Sequence, residues 1–208
     1  MDDYMGEKNN TPFKESKLIP SAATYVILAF LFSAVPEWSK TIFIMNSIVA
    51  GTALLITVIY WKVAEYKRRY FSVASYCLLF TISFTSVQPV LRVSWAEGNS
   101  LWMYLGFLWI VTFMVTHILK EGIFQAFSKT FESRFSISFH IVLFGVLFTA
   151  PIVIFLTNLE SIFNQNTQFF LLGMLLYVIS LFLLIMLPAL LKHPKDIIKE
   201  RNPGVRPD

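Results

Sequence analysis

Residues 41–61 read TIFIMNSIVAGTALLITVIYW, bounded by Lys40 and Lys62 and free of Asp, Glu, Lys and Arg between them. Crossing a hydrocarbon core of ~30 Å takes about 20 residues of α-helix. In lipid every backbone N–H and C=O must be bonded internally, which leaves helices and closed barrels as the spanning structures. Barrel strands alternate polar and apolar side chains with period two. This stretch does not alternate, so it reads as a membrane helix.

Five further windows have the same character: 18–36, 71–91, 100–119, 135–157 and 167–191. None holds a charged side chain. Charged residues make up 14% of the 208 and hydrophobic ones 56%, against roughly 25% charged in an ordinary soluble domain. A soluble bundle would carry charge along one face of every helix. The sequence therefore predicts an all-α fold, a polytopic integral membrane protein with a six-helix membrane domain over 18–191. Tails at 1–17 and 192–208 flank it.

Lys and Arg set the orientation. All but two of the 17, Lys40 and Arg92, fall in the tails or in the connections after the second and fourth windows. That bias places both termini in the cytoplasm, and the compact chain with short loops suggests a bacterial plasma membrane. Trp38, Trp95 and Trp102 would mark the outer interface, and Trp61, Tyr66 and Tyr70 the inner one. No cleavable signal peptide is expected, because the first apolar window follows a polar tail and is long enough to be retained. The basic residues are dispersed between apolar runs rather than gathered on one face, so no nucleic-acid partner is expected.

The connection 121–134 has its own pattern. Phe124, Phe127, Phe131 and Phe135 share an arc of about 80° at ~100° per residue, which suggests a short cytoplasmic helix lying in the interface with its rings in the acyl boundary.

Chemistry is sparse. The aspartates Asp2, Asp3, Asp196 and Asp208 all lie in the tails, and no glutamate falls inside a window. Proton relays and hard-cation sites within a membrane need an ionisable group at depth, so such mechanisms are disfavoured. The lone cysteine, Cys77, has no histidine on its helix, and a thiol in apolar surroundings stays protonated and inert. No P-loop, nucleotide-binding glycine pattern, G-x-S-x-G or H-E-x-x-H is present. His117, His140 and Glu121 are the only residues that could converge on a metal, and without supporting spacing neither a metal nor another cofactor is expected.

The third window is the most polar. Cys77, Thr81, Thr85, Gln88 and Arg92 recur at helical spacing on one face. This stripe could pack against neighbouring helices through hydrogen bonds. It could instead line a water-filled vestibule with Arg92 as an anion-attracting rim, or meet a partner subunit. Pro89 removes the backbone bond to the Thr85 carbonyl and suits either of the first two readings. In the second window Asn46, Ala50, Ala53 and Thr57 form a small-residue face suited to close helix packing, with Asn46 as an interhelical hydrogen-bonding group.

The tail from Lys192 to Gly204, KHPKDIIKERNPG, resembles the short cytoplasmic lead-in of some isoprenylcysteine-methyltransferase-like membrane proteins. The resemblance covers these 13 residues, and the cofactor-binding part that follows in that family has no counterpart here. It implies a fragment of a methyltransferase-like membrane enzyme as one alternative, and no functional residue is carried over from it.

Two expectations remain for function. One is a non-enzymatic accessory, regulatory or interaction subunit, working by contact with another membrane protein or with itself, with lipid as its medium. The other is a channel or carrier for a small neutral or anionic solute lined by Thr81, Thr85, Gln88 and Arg92.

Overall fold

A computed structural model describes residues 11–98, 100–128 and 165–191. Among these the chain is helical: a 3₁₀ turn at Phe13–Glu15, then α1 (Leu18–Ser33), α2 (Lys40–Val63), α3 (Lys67–Ala96), α4 (Leu101–Ile118), α5 (Lys120–Ser128) and α6 (Gln165–Leu190). Four helices, α2, α3, α4 and α6, are long and apolar enough to cross a membrane. The α1 helix is apolar but shorter, at 16 residues. The window at 135–157 and both distal tails lie outside the described residues, as do Phe131, Phe135 and His140.

Three of the turns between helices have a local cause. Ser39 stands in extended conformation before α2 and its hydroxyl accepts from the Ile42 amide at 3.4 Å, supplying one of the acceptors a helix N-terminus lacks. Gly98 follows α3 with φ +71°, a left-handed conformation that L side chains rarely adopt. Between α4 and α5, Leu119 departs from helical geometry, and the most amphipathic of the described helices follows it. Ile123 on α5 is buried and Phe124 half-buried, and α5 packs on α6.

The α3 helix is the axis of the bundle. It touches α1, α2, α4 and α6, with α6 its most extensive neighbour. Its polar composition follows from that position, because a helix surrounded by others can satisfy hydroxyls and amides that lipid could not. One core cluster, Tyr25, Ala50, Ala53, Val73 and Cys77, joins α1, α2 and α3. A second, Val87, Val90, Leu105 and Tyr177, joins α3, α4 and α6. By contrast α4 is peripheral, with only Leu105 and Thr116 buried.

The α3 helix runs further than its charge-free window at both ends. Its first turn includes Arg69, whose Nη1 donates to the Leu191 carbonyl at 2.7 Å and so caps the end of α6. Nearby, the Tyr70 hydroxyl donates to the Ser16 carbonyl, Trp61 Nε1 donates to the Thr11 carbonyl at 3.0 Å, and Lys67 stands 3.8 Å from the Glu15 carboxylate. These contacts hold the segment before α1 against the ends of α2 and α3.

Candidate functional site

The polar face of α3 resolves into three kinds of contact. Thr81 and Thr85 turn back on their own helix: Thr81 Oγ1 donates to the Cys77 carbonyl and Thr85 Oγ1 to the Thr81 carbonyl, each at 2.9 Å. Threonines bonded in this way satisfy themselves and leave little for a neighbour. Both are fully buried.

Gln88 reaches across to another helix. Its Nε2 donates to Asn46 Oδ1 on α2 at 2.6 Å, and Asn46 Nδ2 donates to Ser33 Oγ on α1 at 3.2 Å. Ser33 in turn donates to the Ala29 carbonyl at 2.5 Å. The chain Gln88–Asn46–Ser33 thus ties three helices together. All three side chains are buried, and Gln88 Oε1 has no partner among the described residues.

Arg92 makes the third kind. Nη1 donates to the Val35 carbonyl and lies 3.4 Å from those of Phe32 and Ser33, while Nη2 donates to the Glu37 carbonyl. The last carbonyls of a helix have no intrahelical donors and carry partial negative charge. The guanidinium serves both needs at the end of α1.

Beside Arg92 lies a cavity of about 690 Å³, open to the exterior of the bundle. Its walls include Pro36 and Glu37 after α1, Leu91 and Trp95 on α3, Trp102 on α4 and Phe169 on α6. The Trp95 and Trp102 rings pack with centroids 4.6 Å apart. Gln88, one turn deeper along α3, does not line this cavity.

A second polar node occupies another face of α3. Ser83 and Ser180 lie with hydroxyls 2.9 Å apart, each within 3.0 Å of the other's carbonyl, and Trp109 Nε1 donates to Ser180 Oγ at 2.8 Å. One level away, the Tyr177 hydroxyl donates to the Leu105 carbonyl at 2.8 Å. Sequence reasoning passed over these residues. The available signal was the rarity of polar groups in α6: Tyr177 and Ser180 alone interrupt its apolar run from 169 to 190.

His117 sits at the end of α4 with both ring nitrogens engaged. Nδ1 lies 2.7 Å from the Phe113 carbonyl, which can only accept, so Nδ1 carries a proton. In the neutral ring Nε2 then accepts from the Tyr76 hydroxyl at 2.9 Å. Among the described residues no group of three or more His, Cys, Asp or Glu could hold a metal ion. Glu121 lies in α5, exposed, and His140 is outside the described residues. The α5 helix includes the positions of Phe124 and Phe127. Cys77 is buried beside Ala53 and Tyr25.

No family model matches the chain, and no curated protein or solved structure matches it.

Proposed function

We propose that the chain is a non-enzymatic, multi-pass membrane protein that acts as an accessory or regulatory subunit, through contact with another membrane protein or a second copy of itself. The observation that carries this reading is where the polar groups go. The stripe of Thr81, Thr85, Gln88 and Arg92 is spent on its own helix and on α1 and α2. What α4 offers outward is apolar and aromatic: Tyr104, Phe107, Ile110, Met114 and Ile118 are all exposed. Such side chains pack equally well against lipid or against another helix, and Met adapts to irregular partners.

The topology proposed with it is six spans with both termini in the cytoplasm of a bacterium, supported by the bias of Lys and Arg between alternate connections. The segment 121–134 then lies along the cytoplasmic interface.

The test is site-specific photocrosslinking in native membranes, with the reactive residue placed at Phe107 or Met114 and, as control, at buried Val90. A discrete protein adduct from the α4 positions and none from Val90 supports the reading. Adducts to lipid alone at every α4 position overturn it.

A second reading, a carrier or channel for a small neutral or anionic solute, draws on the cavity beside Arg92. Its test is flux in proteoliposomes, where replacing Arg92 and Gln88 by Ala should alter transport. No flux for a broad panel of solutes retires it.

A further inference from the structure

We propose that the cavity beside Arg92 is a binding site for the headgroup of a zwitterionic glycerophospholipid. The inference is independent of the accessory reading.

The cavity, at about 690 Å³, lies within the range of roughly 300–1,000 Å³ typical of small-molecule sites. Its chemistry is of three kinds in one place. The first is a positive centre. The Arg92 donors Nη1 and Nη2 are taken by backbone carbonyls, which are neutral, and the acidic charge acting on it is that of Glu37, a wall of the same cavity. No carboxylate comes within ion-pair distance of it among the described residues.

The second is a negative rim. Glu37 lines the same cavity and is exposed; its one hydrogen bond with Arg92 is through the backbone carbonyl, and its carboxylate acts on the guanidinium by charge at longer range. Its carboxylate forms no ion pair among the described residues.

The third is amphipathic and apolar surface. Trp95 is 64% exposed, and its ring packs on Trp102. Indole faces attract ammonium groups, and tryptophan favours the headgroup level of a bilayer. Below them Leu91, Ile42 and Phe169 give an apolar floor.

Each simpler ligand leaves one of these unmatched. An anionic headgroup satisfies Arg92 and meets Glu37. A simple cation satisfies the Glu37 carboxylate and meets Arg92. A phosphate joined to an ammonium satisfies both, with phosphate toward Arg92 and ammonium toward Glu37 and the indoles. The apolar floor and the exposed tryptophan, on helices long enough to cross a membrane, favour a lipid over a soluble zwitterion.

The full chain, purified in mild detergent and exposed to equal amounts of phosphatidylethanolamine and phosphatidylglycerol, is read by native mass spectrometry for retained lipid. Wild type should retain the zwitterionic lipid at least about fivefold over the anionic one. Glu37→Gln should bring the ratio close to one or invert it, because it removes repulsion for the anionic headgroup and attraction for the ammonium. Arg92→Gln should lower retention of both, though it also removes the cap on α1. Glu37→Gln therefore carries the test by itself, its side chain being exposed and making no hydrogen bond or ion pair among the described residues. Equal retention by wild type, or a Glu37→Gln ratio unchanged from wild type, overturns the proposal. So does displacement of the lipid by soluble phosphoethanolamine at concentrations matching the lipid's own, which would make the occupant a free zwitterion.

Discussion

Gly173 of α6 and Val90 of α3 meet backbone to backbone: a Cβ at position 173 would lie 3.0 Å from the Val90 amide nitrogen and 3.1 Å from its Cα. Because the obstructing atoms belong to a helix and not to a flexible side chain, they cannot swing aside. Small residues at such crossings let helices approach in lipid, where dispersion and hydrogen bonding replace the hydrophobic effect as the source of association.

Gly173→Ala should therefore destabilise the bundle by about 1–3 kcal/mol, the usual cost of overpacking. Gly51→Ala is the control, since nothing lies within 4 Å of a Cβ there. It should be neutral, or stabilising by up to about 1 kcal/mol through helix propensity. Denaturant titration in bicelles measures both, and equal effects would remove the argument.

Asn46 bonds on two sides and Gln88 on one. Asn46→Ala should thus cost more than Gln88→Ala, with each interhelical bond contributing on the order of 0.6 kcal/mol and at most about 1.7. A double-mutant cycle should return coupling of about that size between the pair. Strict additivity would mean the 2.6 Å contact contributes nothing.

Ser180 accepts from Trp109 and exchanges bonds with Ser83. Ser180→Ala should cost about 1 kcal/mol, since it strands the half-buried indole N–H. Trp109→Phe added to Ser180→Ala should then cost less than it does alone. Unfolding midpoints of the three variants decide the point.

Arg69 closes the end of α6 by donating to Leu191. Arg69→Ala should fray that last turn by about 0.3–1 kcal/mol and leave α4 untouched. Hydrogen exchange read at 189–191 against 110–115 separates the two regions.

How much of this could be read in the chain follows from what leaves a periodic trace. Helices α2, α3, α4 and α6 announce themselves because charge is absent over the length a bilayer requires. Their ends do not. Lys67, Arg68 and Arg69 are good helix formers, and Arg92 stays in the helix because α1 supplies carbonyls for it, so α3 outruns its uncharged window. The common face of Thr81, Thr85, Gln88 and Arg92 was visible from spacing. Its partners were not, because spacing on one helix says nothing about which helix lies opposite. Asn46 as an interhelical group was legible from its chemistry. Ser33, its neighbour on α1, sits at a helix end with no pattern to mark it. Ser83, Ser180 and Gly173 are single residues in apolar runs, and their meaning exists only once two backbones are brought together.

The brevity of α1 bears on the medium around it. Sixteen residues at 1.5 Å each give a rod of roughly 24 Å, several ångströms less than the ~30 Å of hydrocarbon beside it. In the proposed six-span topology, lipids flanking α1 would have to compress, or polar groups sink toward it, at fractions of a kcal/mol per ångström of mismatch. Acyl-chain length then becomes a variable that acts on stability, most strongly through this shortest of the apolar helices.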